Sequence, residues 1–339
     1  MRALLYPAFE RIENATVAEP PPPRADEVTL RVAACGICGS ELEAFKNRSP
    51  RRVPPLVLGH EFCGVIAAVG AEVRGWMPGV RVVSNSLVPC GRCVRCTRGD
   101  SHLCATRQIF GMNRPGALAE RVNVPARCLL PWPEKLSAEE ACLAEPLANG
   151  IHVTRLTESL PAGVALVIGA GPIGLFCQQA LQVLRGAKVI VADLSAERLA
   201  VAARLGAWRT INPRSEDVTT IVRELTGGEG ADIAVDAVGA GATKRTALEA
   251  ARPGGAVVWI GLHENSITLE SFGVTLPEKK LFGTYAATMD DLRLALDLMA
   301  SGKVDAHTWT TRFPLADAAH AFQRALAAQG TDIKCIVCP

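Results

Sequence analysis

The chain has 339 residues, of which 49% are hydrophobic and 21% are charged, as is typical of a globular protein with a sizeable core. This length allows two domains of ordinary size. The net charge is only +2, so bulk electrostatics give no attraction to nucleic acid or to an anionic membrane surface. Composition therefore predicts neither a nucleic-acid nor a membrane partner.

The cellular compartment is predicted from the apolar segments. The N-terminal apolar run is broken by Pro7 and is too short for a signal peptide core. The longest stretch free of charged and of strongly polar side chains, residues 164–177, is shorter than the ~18 residues of a membrane span and contains three glycines and a proline. These features predict a cytoplasmic protein, in which the twelve cysteines are thiols or metal ligands rather than disulfides.

Residues 1–150 are rich in proline, glycine and short β-branched runs such as EVTLRVAAC and EFCGVIAAVG. Turn signals recur at short intervals, which predicts an all-β unit of short strands. Three motifs in this region, CGICGSE, GHEFCG and AEPLANGIH, carry side chains that are able to bind a metal: Cys38, His60, Glu61 and Glu145. From the residues alone, one metal site and a redox pair of Cys35 with Cys38 both stay open.

A four-cysteine motif lies between these segments. Cys90, Cys93, Cys96 and Cys104 follow the pattern C-x2-C-x2-C-x7-C. One loop with this spacing can wrap four thiolates around Zn²⁺ in the closed geometry of a structural site, which leaves no coordination position for a substrate. The alternatives are redox-active cysteines and a basic nucleic-acid-binding ribbon, and no aromatic residue lies among the arginines to support the ribbon.

From residue 163 onward, strand and helix patterns alternate, which predicts a parallel, doubly wound sheet. VALVIGAGPIG places Gly169, Gly171 and Gly174 after a strand and at the start of a helix, the context that dinucleotide binding requires. Asp193 ends the next strand, where a carboxylate binds ribose hydroxyls and disfavours a 2′-phosphate, so NAD is predicted rather than NADP. Arg198 either lies over the adenine or is a solvated helix charge.

Five motifs in this order, CGICGSE, GHE, the four-cysteine lobe, EPLA and GAGPIG, resemble the zinc-dependent medium-chain dehydrogenases over the whole chain. The resemblance implies an α/β protein in which a GroES-like β-rich catalytic domain, residues 1–150 with 287–339, surrounds a Rossmann NAD-binding domain, residues 151–286. It also implies two zinc ions per chain, one catalytic and one structural, and a homodimer or homotetramer.

The same resemblance implies that Cys38 and His60 bind the catalytic zinc. A glutamate in EPLA, where liver-type alcohol dehydrogenases have cysteine, is similar to the polyol dehydrogenases for sorbitol, galactitol phosphate and butanediol and to threonine dehydrogenase. Glu145 and Glu61 are both ligand candidates. Ser40 resembles the hydroxyl that starts the family's proton relay, or it caps a helix that begins near residue 41. The implied reaction is hydride transfer between NAD and a secondary alcohol of polyol type, free or phosphorylated.

The predicted cofactor-binding residues lie mainly at the strand ends of the Rossmann domain. They are Gly169, Gly171, Pro172, Ile173, Gly174, Asp193, Arg198, Val238, Ile260, Gly261 and Leu262. By analogy, Lys334 on the last predicted strand faces the cofactor.

Four positions depart from the family pattern. Glu41 stands where an aspartate usually orients the zinc-binding histidine, so it requires a shifted backbone or a bent side chain. Glu43 stands where the family often has a histidine, and Ala44 stands where sorbitol dehydrogenases commonly have an aromatic residue. Ala286 replaces an arginine that sorbitol dehydrogenases direct at the substrate. Together these departures make sorbitol itself an unlikely substrate. The segment FKNRSPRR, residues 45–52, adds four positive charges and is either a solvated loop or a site for an anionic substrate such as a sugar phosphate.

Two other functions are weighed against a polyol dehydrogenase. A threonine dehydrogenase is suggested by EPLAN, although no partner for the amino-acid carboxylate can be named. A non-catalytic nucleotide-binding or zinc-ribbon scaffold is disfavoured because such a protein has no reason to keep all the residues of a catalytic zinc site.

Overall fold

The structure is a computed structural model that describes residues 1–327 and 332–339. The chain divides into two compact units, one formed by Met1–Glu145 with Thr288–Pro339 and the other by Pro146–Ala287. The chain thus leaves the first unit and later returns to it. The first boundary falls at residue 145, whereas the sequence placed it at residue 150.

The strands are short and numerous in the first half of the chain. In chain order they are β1 (Arg2–Ala8), β2 (Arg11–Thr16), β3 (Glu27–Gly36), β4 (Leu56–Val57), β5 (Glu61–Val69), β6 (Arg81–Ser84), β7 (Leu87–Val88), β8 (Gln108–Ile109), β9 (Arg121–Pro125), β10 (Leu129–Pro131), β11 (Val164–Ile168), β12 (Lys188–Ala192), β13 (Arg209–Ile211), β14 (Ala231–Asp236), β15 (Ala251–Trp259), β16 (Lys280–Gly283), β17 (Thr310–Pro314) and β18 (Lys334–Cys338).

Most of the longer helices lie after residue 143. The helices are α1 (Gly39–Lys46), α2 (Val94–Thr97), α3 (Ala138–Ala141), α4 (Ala144–Leu156), α5 (Pro172–Arg185), α6 (Ala196–Arg204), α7 (Val218–Leu225), α8 (Gly241–Ala250), α9 (Phe272–Thr275), α10 (Met289–Ala300) and α11 (Ala318–Ala327). No helix in the described part of the chain is long and apolar enough to cross a membrane.

The first unit is β-rich, as predicted. Its main sheet has seven strands in the order β10-β6-β5-β3-β18-β17, with β9 also paired to β3, and β2-β1-β4 form a smaller sheet. The C-terminal strand β18 pairs antiparallel with β3, which brings the last segment of the chain beside the first. Leu30, Phe62, Phe110 and Phe322 are among the buried residues that form one core in this unit.

The second unit contains a six-stranded sheet in the order β13-β12-β11-β14-β15-β16, and each strand runs parallel to its neighbours. With β11 counted as the first strand, this is the order 3-2-1-4-5-6 of a Rossmann fold. Helix α5 begins with Pro172 at its first position and ends before Gly186, which has a left-handed conformation with φ 63°. The predicted doubly wound parallel sheet is therefore confirmed.

Candidate functional site

The four cysteines of the lobe form one compact group. The sulfur atoms of Cys90, Cys93, Cys96 and Cys104 all lie within 4.8 Å of one another. Four sulfurs bound to Zn²⁺ at ~2.3 Å lie about 3.8 Å apart, and the Cys93–Cys96 and Cys90–Cys96 sulfur pairs are 3.5 and 3.9 Å apart. These cysteines are free thiols, so the donor set fits a structural zinc site.

The local backbone favours the thiolate form of two of these cysteines, Cys90 and Cys104, whereas burial raises the pKa of Cys96 to about 11. Backbone N–H groups of Arg92 and Cys93 point at the Cys90 sulfur and lower the pKa of that thiol to about 6. The Cys90 N–H donates to the sulfur of Cys104 at 3.4 Å and lowers the pKa of this thiol as well. Because the thiolate is the form that binds zinc, these contacts favour the liganded state.

A second group combines one thiol, one imidazole and one carboxylate. Ligand atoms of Cys38, His60 and Glu61 lie within 4.8 Å of one another. Cys38 immediately precedes α1, and His60 precedes β5, whose first residue is Glu61. The antiparallel pairing of β3 with β5 places Gly36 opposite Glu61. Cys38, two residues after β3, therefore lies at the same end of the two strands as His60 and Glu61.

Glu41 orients this group despite its extra methylene. Its Oε1 accepts from the Gly59 N–H at 2.8 Å and lies 3.1 Å from Nδ1 of His60, and its Oε2 accepts from the Cys38 N–H at 3.1 Å. With Nδ1–H donating to the carboxylate, Nε2 of His60 is left for a metal. Burial by itself raises the pKa of Glu41, but His60 and the Arg52 charge outweigh burial and lower it to about 2.

Glu61 is held by a lysine from the far end of the chain. Lys334, on β18, forms a buried ion pair with Oε2 of Glu61, and its Nζ also donates to the carbonyl of Ile37 at 2.9 Å. Burial lowers the pKa of Lys334, but the charges of Glu61 and Cys38 raise it above its usual value. A Cβ at Gly36 would lie 2.9 Å from Cε of Lys334, so the close approach requires glycine there. The structure thus places Lys334 beside a candidate metal ligand.

Glu145 lies outside the group of ligand atoms within 4.8 Å of one another. It is buried, and Ser86 Oγ donates to its Oε1 at 2.7 Å. Burial raises the pKa of Glu145, while the charge of His60 lowers it and that of Glu61 raises it. These charge effects show that Glu145 lies in the neighbourhood of the group. No sequence motif pointed to Ser86.

Ser40 is the second residue of α1 and does not cap it, because Cys38 is the N-cap. Its hydroxyl donates to the sulfur of Cys38 at 3.3 Å. Arg52 is also buried here and contacts Ser40, although the sequence of residues 45–52 suggested a solvated loop or an anion site. A single buried arginine in a basic segment leaves no signal in the sequence.

The glycine-rich turn of the second unit has the geometry that its motif predicts. Gly169 has φ 98°, a conformation that favours glycine. A Cβ at Gly174 would collide with the carbonyl of Gly169, so the helix approaches the turn closely only without a side chain. A Cβ at Gly171 would lie 3.9 Å from Nη1 of Arg198, which places this guanidinium beside the turn. Pro172 and Ile173 open α5.

Asp193 is held at the same turn. Its Oδ2 accepts from the Ala170 N–H at 2.7 Å and its Oδ1 from the Ser195 N–H at 2.8 Å. At the next two strand ends, a Cβ at Gly261 would collide with the backbone of Val238, so the loops after β14 and β15 touch. Ile260 and Leu262 flank this contact. The predicted cofactor residues therefore lie at the carboxyl ends of adjacent parallel strands, where such folds bind nucleotides.

Comparison with known proteins identifies the family of the chain. A family model described as "Alcohol dehydrogenase GroES-like domain" matches residues 24–134, and one described as "Zinc-binding dehydrogenase" matches residues 172–301. The chain is 34% identical to a sorbitol dehydrogenase of Bacillus subtilis over 322 residues, which cover 93% of this chain and 90% of the relative.

A second relative and a solved structure are also similar to the chain. An L-threonine 3-dehydrogenase of Anaeromyxobacter is 33% identical over 293 residues, 85% of each chain. The solved structure of alcohol dehydrogenase TADH from Thermus sp. ATN1 superposes with a TM-score of 0.93 at 31% identity and covers 100% of this chain and 99% of that one. The chain therefore belongs to the zinc-dependent medium-chain dehydrogenases, in their polyol dehydrogenase-like branch, and is a zinc- and NAD-dependent oxidoreductase.

Proposed function

We propose that the chain interconverts a secondary alcohol of polyol type and its ketone with NAD as the hydride acceptor. In this proposal the unit Met1–Glu145 with Thr288–Pro339 is the catalytic domain, and Pro146–Ala287 binds NAD. The observation that carries the proposal is the group of Cys38, His60 and Glu61, which offers three donors rather than four thiolates. Three protein ligands leave an open position, the hallmark of a catalytic zinc site.

The side chains of the first unit have separate roles in this mechanism. Zinc held by Cys38, His60 and a carboxylate would act as a Lewis acid that lowers the pKa of a hydroxyl group. Glu41 keeps His60 in the tautomer with Nε2 available. Ser40, whose Oγ lies 3.3 Å from the Cys38 sulfur, is the proposed first group of a proton relay. Its oxygen takes the proton of the substrate hydroxyl as its own hydrogen passes to solvent, to which Ser40 is partly exposed.

Two carboxylates are candidates for the remaining ligand. Glu61 is close to Cys38 and His60, but Lys334 holds its Oε2, so a metal would compete with an ammonium group for that oxygen. Glu145 is the candidate from the EPLA motif and lies buried nearby. Zinc contents of Glu61→Gln and Glu145→Gln distinguish the two, because loss of a direct ligand removes one ion per chain and loss of a neighbour does not.

The second unit supplies the cofactor site in this proposal. Asp193 would accept hydrogen bonds from a ribose, and Gly171 at the N-terminus of α5 would allow the pyrophosphate to approach backbone N–H groups. Arg198 lies beside this turn rather than far from it, which supports a role in cofactor binding. We propose NAD contacts for the full set at the strand ends, including Val238, Ile260, Gly261 and Leu262.

The contacts of the basic segment favour a neutral substrate over a phosphorylated one. Arg48 forms an ion pair with Glu10, and Arg52 is buried against Ser40, so two of the four cations in residues 45–52 are already engaged. The similarity to a sorbitol dehydrogenase supports a polyol, whereas Ala44 and Ala286 disfavour sorbitol itself. The similarity to a threonine dehydrogenase keeps threonine as the second candidate.

The experiment is a screen for NADH formation by the zinc-loaded protein. The panel contains sugar alcohols, their phosphates, vicinal diols and threonine, each at several concentrations. We expect the highest kcat/KM for an unphosphorylated polyol or diol. A protein that binds NAD and zinc but reduces no NAD with any alcohol would instead be a nucleotide-binding scaffold.

We also propose that the chain is a cytoplasmic homo-oligomer. All twelve cysteines are free, which suits a reducing compartment. Strand β16 is an edge of the second sheet, and Leu281 on it is 41% exposed, near the more exposed Phe272 and Leu276. An open edge with apolar side chains is suited to pairing with the same edge of a second copy. Leu281→Lys is expected to reduce the mass measured by light scattering.

A further inference from the structure

We propose that Lys244, on α8, is a positioning residue that holds the loops after β14 and β15 where they receive the nicotinamide half of NAD. These two loops are residues 237–240 and 260–271. The inference rests on the proposed function, because that proposal places cofactor contacts in the same loops. Lys244 is only 7% exposed, whereas its neighbour Arg245 is exposed. The helix therefore buries one of two adjacent cations, and the buried one contacts both loops.

The contacts of the Lys244 ammonium group all belong to these loops or to the strand end beside them. Nζ donates to the carbonyl of Gly239 at 2.9 Å and to the carbonyl of Glu264 at 3.1 Å. It also lies 5.7 Å from the ring centroid of Trp259, the last residue of β15, within reach of a cation–π interaction. Lys244 forms no ion pair with a carboxylate in residues 1–327 or 332–339. A buried lysine is costly unless it is paired, so the contacts with these loops have to offset that cost.

The loop after β14 is held from its other side by Asp236. This carboxylate is fully buried and accepts hydrogen bonds from the N–H groups of Val238 at 3.1 Å and Gly239 at 3.0 Å. Gly239 is thus held at its N–H group by Asp236 and at its carbonyl by Lys244. A second role for Lys244, the balance of the buried Asp236 charge, concerns stability alone and makes no difference between ligands.

The two loops are also attached to each other through Glu264. Its N–H donates to the Gly239 carbonyl at 3.0 Å, and its Oε2 accepts from the N–H of Gly241 at 2.8 Å. Residues 262–266 are all exposed, so this part of the loop buries little side-chain surface of its own and is ordered mainly by hydrogen bonds. Hydrogen bonds from a charged donor are stronger than those between neutral groups. Lys244 is therefore the principal anchor of the loop after β15.

The position of these loops matters for the second half of the cofactor. A fold with this strand order binds a dinucleotide across two mononucleotide-binding halves. Asp193 and the glycine-rich turn follow strands of the first half, so the loops after β14 and β15 are left for the nicotinamide half. Val238 and Leu262 on these loops are 39% and 65% exposed, which makes their apolar side chains accessible to a ligand. A Cβ at Gly169 would lie 2.7 Å from Cγ2 of Val238, so the loop after β14 also adjoins the glycine-rich turn.

Lys244 acts before the cofactor binds. With both carbonyls held, the loops are already ordered, and a site that is ordered in advance binds its ligand more tightly. An apolar side chain in the place of Lys244 fills a similar volume but leaves the carbonyl of Glu264 without this donor. The loop after β15 is then ordered only when NAD binds, which lowers the affinity for the nicotinamide half. The adenosine half, at Asp193, is not affected.

Binding of NAD and of AMP tests the inference. AMP occupies only the adenosine half, so the ratio of the two affinities reports on the other half. We expect Lys244→Met to raise the Kd for NAD about 10-fold and to leave the Kd for AMP within about 2-fold of the wild-type value, as measured by calorimetry on zinc-loaded protein. Arg245→Met, the exposed control, should change neither. Unchanged NAD affinity, or equal weakening of both ligands, would mean that Lys244 serves stability alone and would overturn the proposal.

Two further measurements complete the test. Hydrogen exchange of the backbone N–H groups in residues 260–266 should be faster in Lys244→Met than in wild type, and unchanged exchange would refute positioning. If Lys244→Met does not fold, Lys244→Gln replaces it, because its amide retains an N–H donor without the charge. An intermediate loss of NAD affinity with unchanged AMP affinity is then expected, and equal losses for both ligands would again refute the role. Wild-type protein that binds NAD but oxidises no alcohol would refute the proposed function, while the two affinities would still decide the role of Lys244.

Discussion

Glu41 and His60 are joined by a hydrogen bond in which Oε1 of Glu41 lies 3.1 Å from Nδ1 of His60. The family usually has the shorter aspartate at this position. Here the glutamate reaches the imidazole from the first turn of α1, and its second oxygen binds the N–H of Cys38. One carboxylate therefore organises both residues that the sequence assigned to the catalytic zinc.

This contact predicts that Glu41 controls zinc affinity. We expect Glu41→Ala to weaken binding of one zinc ion per chain about 10- to 100-fold, because the imidazole loses the partner that sets its tautomer and orientation. Competition with a chelator, followed by metal analysis, measures this. Glu43→Gln on the same helix is the matched control and should keep both ions. Equal zinc retention by Glu41→Ala and wild type would contradict the assignment.

The two metal groups should respond differently to loss of one thiol. We expect Cys38→Ser to abolish NADH formation while the melting temperature changes little, because a catalytic ligand is lost from a folded site. We expect Cys96→Ser to lower the melting temperature, because the closed four-thiol site holds its loop together. Calorimetry and metal analysis of both variants measure this, and equal destabilisation by the two changes would argue against the division of roles.

The buried pair of Glu61 and Lys334 should be sensitive to removal of one partner. Both side chains are almost fully buried. Lys334→Met leaves the Glu61 carboxylate without its cation, and we expect the free energy of unfolding to fall by about 3–5 kcal/mol. Urea denaturation of the metal-free protein provides the measurement. The double variant Lys334→Met with Glu61→Gln should recover part of the lost free energy of unfolding. No recovery would show that the loss comes from changed side-chain packing and not from the unpaired charge of Glu61.

Asp193 should determine the choice of nucleotide. Its carboxylate is held at the glycine-rich turn by the N–H of Ala170. We expect Asp193→Ser to raise the KM for NAD about 10-fold and to increase the ratio of NADP to NAD efficiency, because a negative charge that opposes the 2′-phosphate is removed. Steady-state kinetics with both nucleotides test this. Glu197→Gln, on the exposed face of α6, is the control and should leave the ratio unchanged.

Several features could be predicted because they depend on short stretches of sequence. The four cysteines lie within one loop, so their spacing alone indicates a closed zinc site, and the sulfur distances agree. The glycines of the nucleotide turn and Asp193 likewise belong to one β-α-β segment. Backbone geometry over a few residues determines both arrangements, and the parallel sheet follows from the alternation of strands and helices.

The surroundings of the candidate catalytic site depended instead on contacts between distant segments. Lys334 reaches Glu61 because β18 returns to pair with β3. Ser86, in the short connection between β6 and β7, donates a hydrogen bond to Glu145. Arg52 in a basic segment looked solvated, yet it is buried against Ser40. Such contacts are set by strand pairing and side-chain burial across the whole unit, which local residue patterns do not encode. The sequence by itself determined the family, the nucleotide turn and the candidate metal ligands. Only the tertiary structure decided which charged side chains lie beside those ligands, because distant segments supply them.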